Sequence, residues 1–181
     1  MIRTRVGYTG GEQPDPTYYH LGDHTESVEI LFNPEQISYQ ELLDIFWSAH
    51  HPDQRPWSRQ YMAAIFTHTP EQRRLALASL SRVKQRFHGR VYTEILPAKR
   101  FYPAEDYHQK YYLRQFPELL REFQSIYPSA TDFRDSTAAA RINGYLGGNL
   151  PADGSSPDLD RLGLAPAGRR LLARIIDNRH P

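Results

Sequence analysis

The chain has 181 residues, 39% of them hydrophobic, with 22 basic and 21 acidic side chains and a formal net charge of +1. That length fits one domain with an extension, and the hydrophobic share is enough to bury a core. The balanced charge gives no electrostatic case for nucleic acid or an anionic membrane, and no apolar run approaches the ~20 residues of a membrane helix. With no cysteine at all, disulfides, thiolate metal sites and cysteine nucleophiles are excluded from this polypeptide.

Residues Ile2 to Tyr8 alternate, with Ile2, Thr4, Val6 and Tyr8 on one face and Arg3 and Arg5 on the other, which predicts a half-buried strand. The same arginines break any signal-peptide pattern, so a cytoplasmic protein is expected. A Gly- and Pro-rich loop follows from Thr9 to Asp23. A second strand is predicted from about Glu26 to Phe32, with Val28, Ile30 and Phe32 as its apolar face. Asn33-Pro34 ends it. Ser38-Tyr39-Gln40-Glu41 is a capping box that opens a helix, with Ile37 and Leu42 as its staple. Leu42, Ile45, Phe46 and Ala49 form the predicted buried stripe.

Tyr61 to Thr67 is a short third strand. Thr69-Pro70-Glu71-Gln72 opens a second helix, with Pro70 at its first position. Its stripe is Ala76, Leu80, Val83 and Phe87, and Gly89 stops it. Val91 to Leu96 is a fourth strand. This order of elements predicts an α/β (α+β) sandwich, a mixed sheet with helices packed on it. Past Leu96, short helices are predicted over Ala104 to Arg114 and Pro117 to Ile126. Asn143 to Gly148 reads as a Gly-rich turn, and Pro151 to Pro157 as a linker. Pro166 starts a last amphipathic helix whose stripe, Leu171, Leu172, Ile175 and Ile176, is expected to dock on its own domain.

Glu26 precedes Val28 by two residues and so shares the predicted apolar face. A carboxyl there is desolvated, and desolvation favours its neutral acid form, which can donate a hydrogen bond or a proton. Tyr8 and Tyr61 are the phenols placed to hydrogen-bond an oxygen acceptor. His20 and His24 are four apart, but in a Pro- and Gly-rich loop that spacing has no geometric force, and no metal site is expected.

Several phrases, taken together, resemble a known family. They are Arg5-Val6-Gly7-Tyr8-Thr9-Gly10-Gly11, Pro16-Thr17-Tyr18, Gly22-Asp23-His24-Thr25-Glu26, Ile37-Ser38-Tyr39 with Phe46-Trp47, Arg59-Gln60-Tyr61 with Ala64-Ile65, and Ala104-Glu105-Asp106-Tyr107-His108-Gln109. They look like peptide-methionine (S)-S-oxide reductase, MsrA. The resemblance implies a ferredoxin-like core in a two-layer sandwich over residues 1–128, and leaves 129–181 as a mostly helical extension. It implies Glu26 as the acid that helps the sulfoxide oxygen leave as water, and Tyr8 and Tyr61 as its hydrogen-bonding phenols. Gly10, Gly11, His24, Trp57, Glu105 and Tyr107 are implied around the substrate, although for His24 a structural hydrogen-bonding role is preferred.

The stretch Asp53 to Tyr61 departs from the family's wording. Pro56 or Trp57 stands where an acid is expected, and Trp57 offers a hydrophobic wall instead. The family's thiolate lies in a Gly-Cys-Phe-Trp segment, and the sequence opens at Met1 after that point. A serine or threonine hydroxyl cannot replace it, because the step moves oxygen and two electrons onto a redox-active sulfur. The expectation is therefore a chain that shows no thiol-dependent turnover by itself, or alternatively a binding module for oxidised methionine or a protein partner. No bound cofactor is implied; thioredoxin or another thiol is the family's electron donor.

Overall fold

The structure, a computed structural model, describes residues 2–87, 89–150 and 157–179; most of the expected linker, residues 151–156, lies outside them. Contacts divide the chain into two compact units. Val6–Ala104 falls in the first, and Ile2–Arg5 with Glu105–Pro181 in the second.

The first unit holds most of the strands. A three-stranded sheet has the order β2-β1-β5, from Thr25–Leu31 (β2), Arg3–Thr9 (β1) and Tyr102–Pro103 (β5). β1 and β5 are antiparallel, with Gly7 opposite Pro103 and Tyr8 opposite Tyr102. A Cβ on Gly7 would lie 2.3 Å from the Tyr102 carbonyl oxygen, so only glycine allows that approach. A separate two-stranded parallel sheet pairs Ala64–Thr67 (β3) with Glu94–Pro97 (β4). The mixed α/β class predicted from sequence is therefore present, with β3 and β4 shorter than expected and the strands divided between two small sheets.

Two helices pack with β3 and β4. α1 (Tyr39–Ser48) has the capping box: Ser38 accepts from the Glu41 backbone N–H, and the Glu41 carboxylate accepts from the Ser38 N–H. Its inner face is not the predicted one. Leu43 is buried against Ile65 and Ala76, with Tyr39, Phe46 and Trp47 beside them, while Ile45 is 56% exposed. The stripe has rotated by one position because Leu43, not Leu42, faces β3. α2 (Pro70–Arg86) starts as predicted, with Thr69 capping the Gln72 N–H and Pro70 in the first turn. Trp47 Nε1 donates to Ser79 Oγ at 2.9 Å, and Ser79 donates to the Ala76 carbonyl at 2.7 Å. Ser79→Ala leaves the indole N–H without its acceptor. The expected cost is about 1 kcal/mol, read by urea unfolding; no change would show that water replaces the bond.

β2 departs most from expectation. Val28 is 56% and Ile30 38% exposed. The alternation is there, but among the described residues no element of this unit buries the face that carries them.

The second unit is helical: α3 (Tyr111–Arg114), α4 (Pro117–Ile126), α5 (Ala130–Asp135), α6 (Thr137–Leu146) and α7 (Pro166–Arg179). The predicted helix over Ala104 to Arg114 is only a 3₁₀ turn, Asp106–His108, followed by α3. The positive φ of Lys110, 55°, separates the two. Residues 143–146, expected as a turn, are the end of α6. Ser136 caps that helix through the Ala139 N–H, and Ala139, Ile142 and Leu146 are buried on one face, which outweighs Gly144. Leu113, Leu119, Phe123, Phe133, Ile142, Leu146, Leu172 and Ile176 share one core. α7 docks there through Leu172 and Ile176. The division at residue 128, drawn where the family resemblance thins, does not coincide with the compact units, because α4 before it and α6 and α7 after it build the same core.

Candidate functional site

The site is built on the first unit, where β2 begins beside the segment that precedes β3. The Glu26 N–H donates to the Gln60 carbonyl at 3.0 Å, and Thr25 Oγ1 donates to the Arg59 carbonyl at 3.1 Å. These bonds bring Gln60 and Tyr61 alongside Glu26. The Gln60 side-chain amide then donates to Glu26 Oε1 at 2.7 Å and to the Tyr61 hydroxyl at 3.1 Å. Tyr61 also shares a hydrogen bond with Tyr18, which, with desolvation and the nearby Glu26 charge, holds its phenol above the ordinary value. Tyr18, Tyr61, Gln60 and Glu26 thus form one hydrogen-bonded line open to solvent.

This corrects the premise about Glu26. It is exposed, because the β2 face it shares with Val28 and Ile30 is uncovered. Its carboxylate is oriented by Gln60 rather than desolvated by an apolar wall. Tyr61 lies in a turn ahead of β3, not at its start, and is 40% exposed.

Tyr8 is 2% exposed. It packs with Leu21 and Ala104, and Val6, Tyr18 and Tyr102 lean on that cluster. Tyr18 is therefore the side chain that touches both the buried phenol's cluster and the exposed line. Tyr18 and Gln60 both lie inside the family's phrases, and neither is assigned a role from the sequence. The tyrosine inside Pro16-Thr17-Tyr18 and the amide beside Tyr61 were the available signals.

The loop between β1 and β2 is held from within. His24 is 1% exposed. Its Nδ1 accepts from the Gly11 N–H at 3.3 Å, and its Nε2 donates to the Gln13 carbonyl at 2.8 Å. Both ring nitrogens are thereby occupied within the loop, which His24 braces. Asp23 accepts from the Glu12 and Gln13 N–H groups, and those bonds lower its pKa. Gly10 and Gly11 are buried. Gly10 has φ +89°, and a Cβ on it would sit 2.7 Å from the Phe66 ring. Both glycines shape the loop.

Trp57 is 84% exposed and stacked on Tyr61, with ring centres 4.9 Å apart and planes 12° apart. Glu105 and Tyr107 belong to the second unit. Glu105 precedes the 3₁₀ turn and accepts from the His108 N–H; Tyr107 is 52% exposed, its ring 4.2 Å from that of His108. No group of three or more His, Asp or Glu side chains among the described residues could hold a metal ion. No described helix is long and apolar enough to cross a membrane.

Fold and site define an α/β protein with a surface array of two phenols, an amide and a carboxylate, a set suited to a small polar oxygen. The chain belongs to the peptide methionine sulfoxide reductase family, whose pattern matches residues 1–141. It is 40% identical over 172 residues to peptide methionine sulfoxide reductase of Drosophila melanogaster, covering 94% of this chain and 69% of that one. It is 45% identical over 122 residues to the MsrA of Methanothermobacter thermautotrophicus, covering 61% and 72%. Among solved structures it is similar to methionine sulfoxide reductase A of Corynebacterium diphtheriae, with TM-score 0.52, 35% identity and 63% of each chain covered. It is also similar to reduced Mxr1 of Saccharomyces cerevisiae, with TM-score 0.56, 27% identity and 64% and 71% covered. The chain thus spans a little under two thirds of the Corynebacterium structure.

Proposed function

We propose that this chain binds oxidised methionine, free or within proteins, at the line formed by Tyr18, Tyr61, Gln60 and Glu26. The observation that carries this is the hydrogen-bonded line itself, formed at positions inside the family's phrases. A sulfoxide oxygen is a strong acceptor, and the Tyr61 hydroxyl is the donor open to solvent beside it, held in place by the Gln60 amide, whose two N–H groups go to Glu26 and Tyr61. In a form that carries the thiol, Glu26, oriented by Gln60, is the carboxyl placed to hand on a proton, through its acid form, as that oxygen leaves as water.

Reduction of a sulfoxide also needs two electrons. Carboxyl, phenol and amide groups supply hydrogen bonds and protons, not electrons, and these 181 residues contain no cysteine. The chain by itself therefore binds and does not turn over. A form that carries the nucleophilic thiol would draw on thioredoxin or another thiol reductant, in the cytoplasm, in repair of oxidised proteins.

The test is calorimetric titration with N-acetyl-methionine S-sulfoxide amide and its thioether parent, beside a dithiothreitol-driven reduction assay. The expected result is binding of the sulfoxide over the thioether, weakened roughly three- to tenfold in Tyr61→Phe for loss of one hydrogen bond, with no turnover. Equal affinity for sulfoxide and thioether would sink the binding site. Turnover in a preparation free of contaminating reductase would sink the argument about electrons.

A further inference from the structure

Four aromatic side chains run in an unbroken row across the first unit. Trp57 stacks on Tyr61, Tyr61 shares a hydrogen bond with Tyr18, and Tyr18 meets Tyr19 edge to face at 5.4 Å. The two ends stand in water, with Trp57 84% and Tyr19 81% exposed. Large rings left exposed in a contiguous, mutually fixed set mark a surface that something else covers. Each ring is held by its neighbour, so little rotamer freedom remains to be lost when a ligand arrives.

The polar groups Gln60 and Glu26 meet this row at Tyr61, in its interior. A single methionine side chain placed there engages Tyr61 and leaves both ends bare. The ring-to-ring steps of 4.9 Å and 5.4 Å each exceed the ~3.3 Å that one residue of extended chain advances. The row is longer than the oxidised side chain it would serve and fits several residues of extended polypeptide. Its end at Trp57 is a flat indole face, which offers dispersion contact and apolar burial but no charge.

We propose that the row is a peptide subsite, with Trp57 as the specificity-determining residue that seats an aromatic or large apolar side chain next to the oxidised methionine. This rests on the reading of Glu26, Gln60 and Tyr61 as the sulfoxide site. It adds a preference that is read from Trp57, which stacks on Tyr61 but takes no part in the hydrogen-bonded line.

The test uses the full chain and short capped peptides with one central methionine. Phe or Gly is placed on either side in separate peptides, each in oxidised and thioether form, and affinities are measured by titration calorimetry. In the parent protein, Phe for Gly on one side should tighten binding about tenfold. In Trp57→Ala that ratio should fall below about threefold, and in Trp57→Phe most of it should return. Both replacements are at an exposed position, and circular dichroism checks the fold. A Phe-to-Gly ratio near one in the parent, or the same ratio in Trp57→Ala, overturns the subsite. The oxidised-to-thioether ratio reports separately on the sulfoxide site. Loss of that ratio with a Trp57-dependent Phe preference overturns the site and not the row, and the reverse pattern overturns the row and not the site.

Discussion

Gly10→Ala lowers the stability of the first unit by about 3 kcal/mol, and a melting curve or urea titration shows it directly. Two costs add. The backbone at Gly10 has φ +89°, a region that costs an L side chain about 1 kcal/mol or more. The added methyl would lie 2.7 Å and 2.9 Å from two carbons of the Phe66 ring, and overpacking of this kind costs ~1–3 kcal/mol. Phe66 belongs to β3, which is tied into its sheet, so relief falls on the loop that carries Tyr18. The variant is therefore expected to weaken sulfoxide binding as well. Gly144→Ala is the contrast. It lies within α6 with open space around its missing Cβ, and it should stabilise by roughly 0.5–1 kcal/mol. If Gly10→Ala melts with the parent, the loop does not depend on that conformation.

Asp135→Asn lowers the stability of the second unit by about 1–2 kcal/mol at neutral pH, and the deficit vanishes in acid. Asp135 accepts from Arg5 Nε at 2.7 Å and from the Arg5 terminal nitrogen, with Arg3 and Arg134 each at 3.4 Å. The hydrogen bond to Arg5 is the main reason its carboxyl is pulled from 3.8 to about 2. A carboxylate whose folded value is depressed stabilises the fold above its unfolded value. That contribution fades as pH falls from about 4 toward about 2. A shift of nearly two units sets a ceiling of ~2.5 kcal/mol, and solvent access to a side chain 21% exposed lowers it to about 1–2 kcal/mol.

Lys110 raises the stakes at this carboxylate. Its ammonium is buried and donates to the Thr4 carbonyl at 2.6 Å and to Thr4 Oγ1 at 3.1 Å. Burial pulls its value down to about 8, while Asp135 works to raise it. Removing the carboxylate charge leaves that ammonium facing Arg5 and Arg134 with less compensation. Urea titrations of parent and variant at pH 7, 4 and 2.5 check the prediction. A gap that persists unchanged at pH 2.5 would show that the carboxylate acts by shape and not by charge.

What could be read from the sequence was local. The capping box at Ser38 and Glu41 and the Thr69-Pro70 start both depend on residues within one turn, and both are where the spacing put them. The face of α1 was missed by one position because the choice between Leu42 and Leu43 is made by Ile65 and Ala76, which lie far along the chain. The alternation of β2 is real, yet alternation cannot say which face is covered. The desolvation inferred for Glu26 fails with that step, while its place beside Gln60 and Tyr61 comes from the Thr25 hydroxyl and the Glu26 N–H, which bond the Arg59 and Gln60 carbonyls. The Gly-rich stretch at 143–148 misled because a turn composition gave way to an α6 face completed by α3 and α7. Tyr18 and Gln60 stand inside the family's phrases, but only the folded loop brings Tyr18 to Tyr61.

The loop between β1 and β2 carries its own scaffolding, since Asp23 and His24 occupy the polar backbone groups of Gly11, Glu12 and Gln13. A segment arranged in this way is ordered when the chain folds, not when a ligand arrives, so encounter needs no rearrangement of Tyr18 and Tyr19. Capture at this surface then proceeds as a one-step collision. Its observed rate climbs in proportion to ligand concentration without a plateau, and differences between peptides are expressed in how long they stay rather than how fast they arrive.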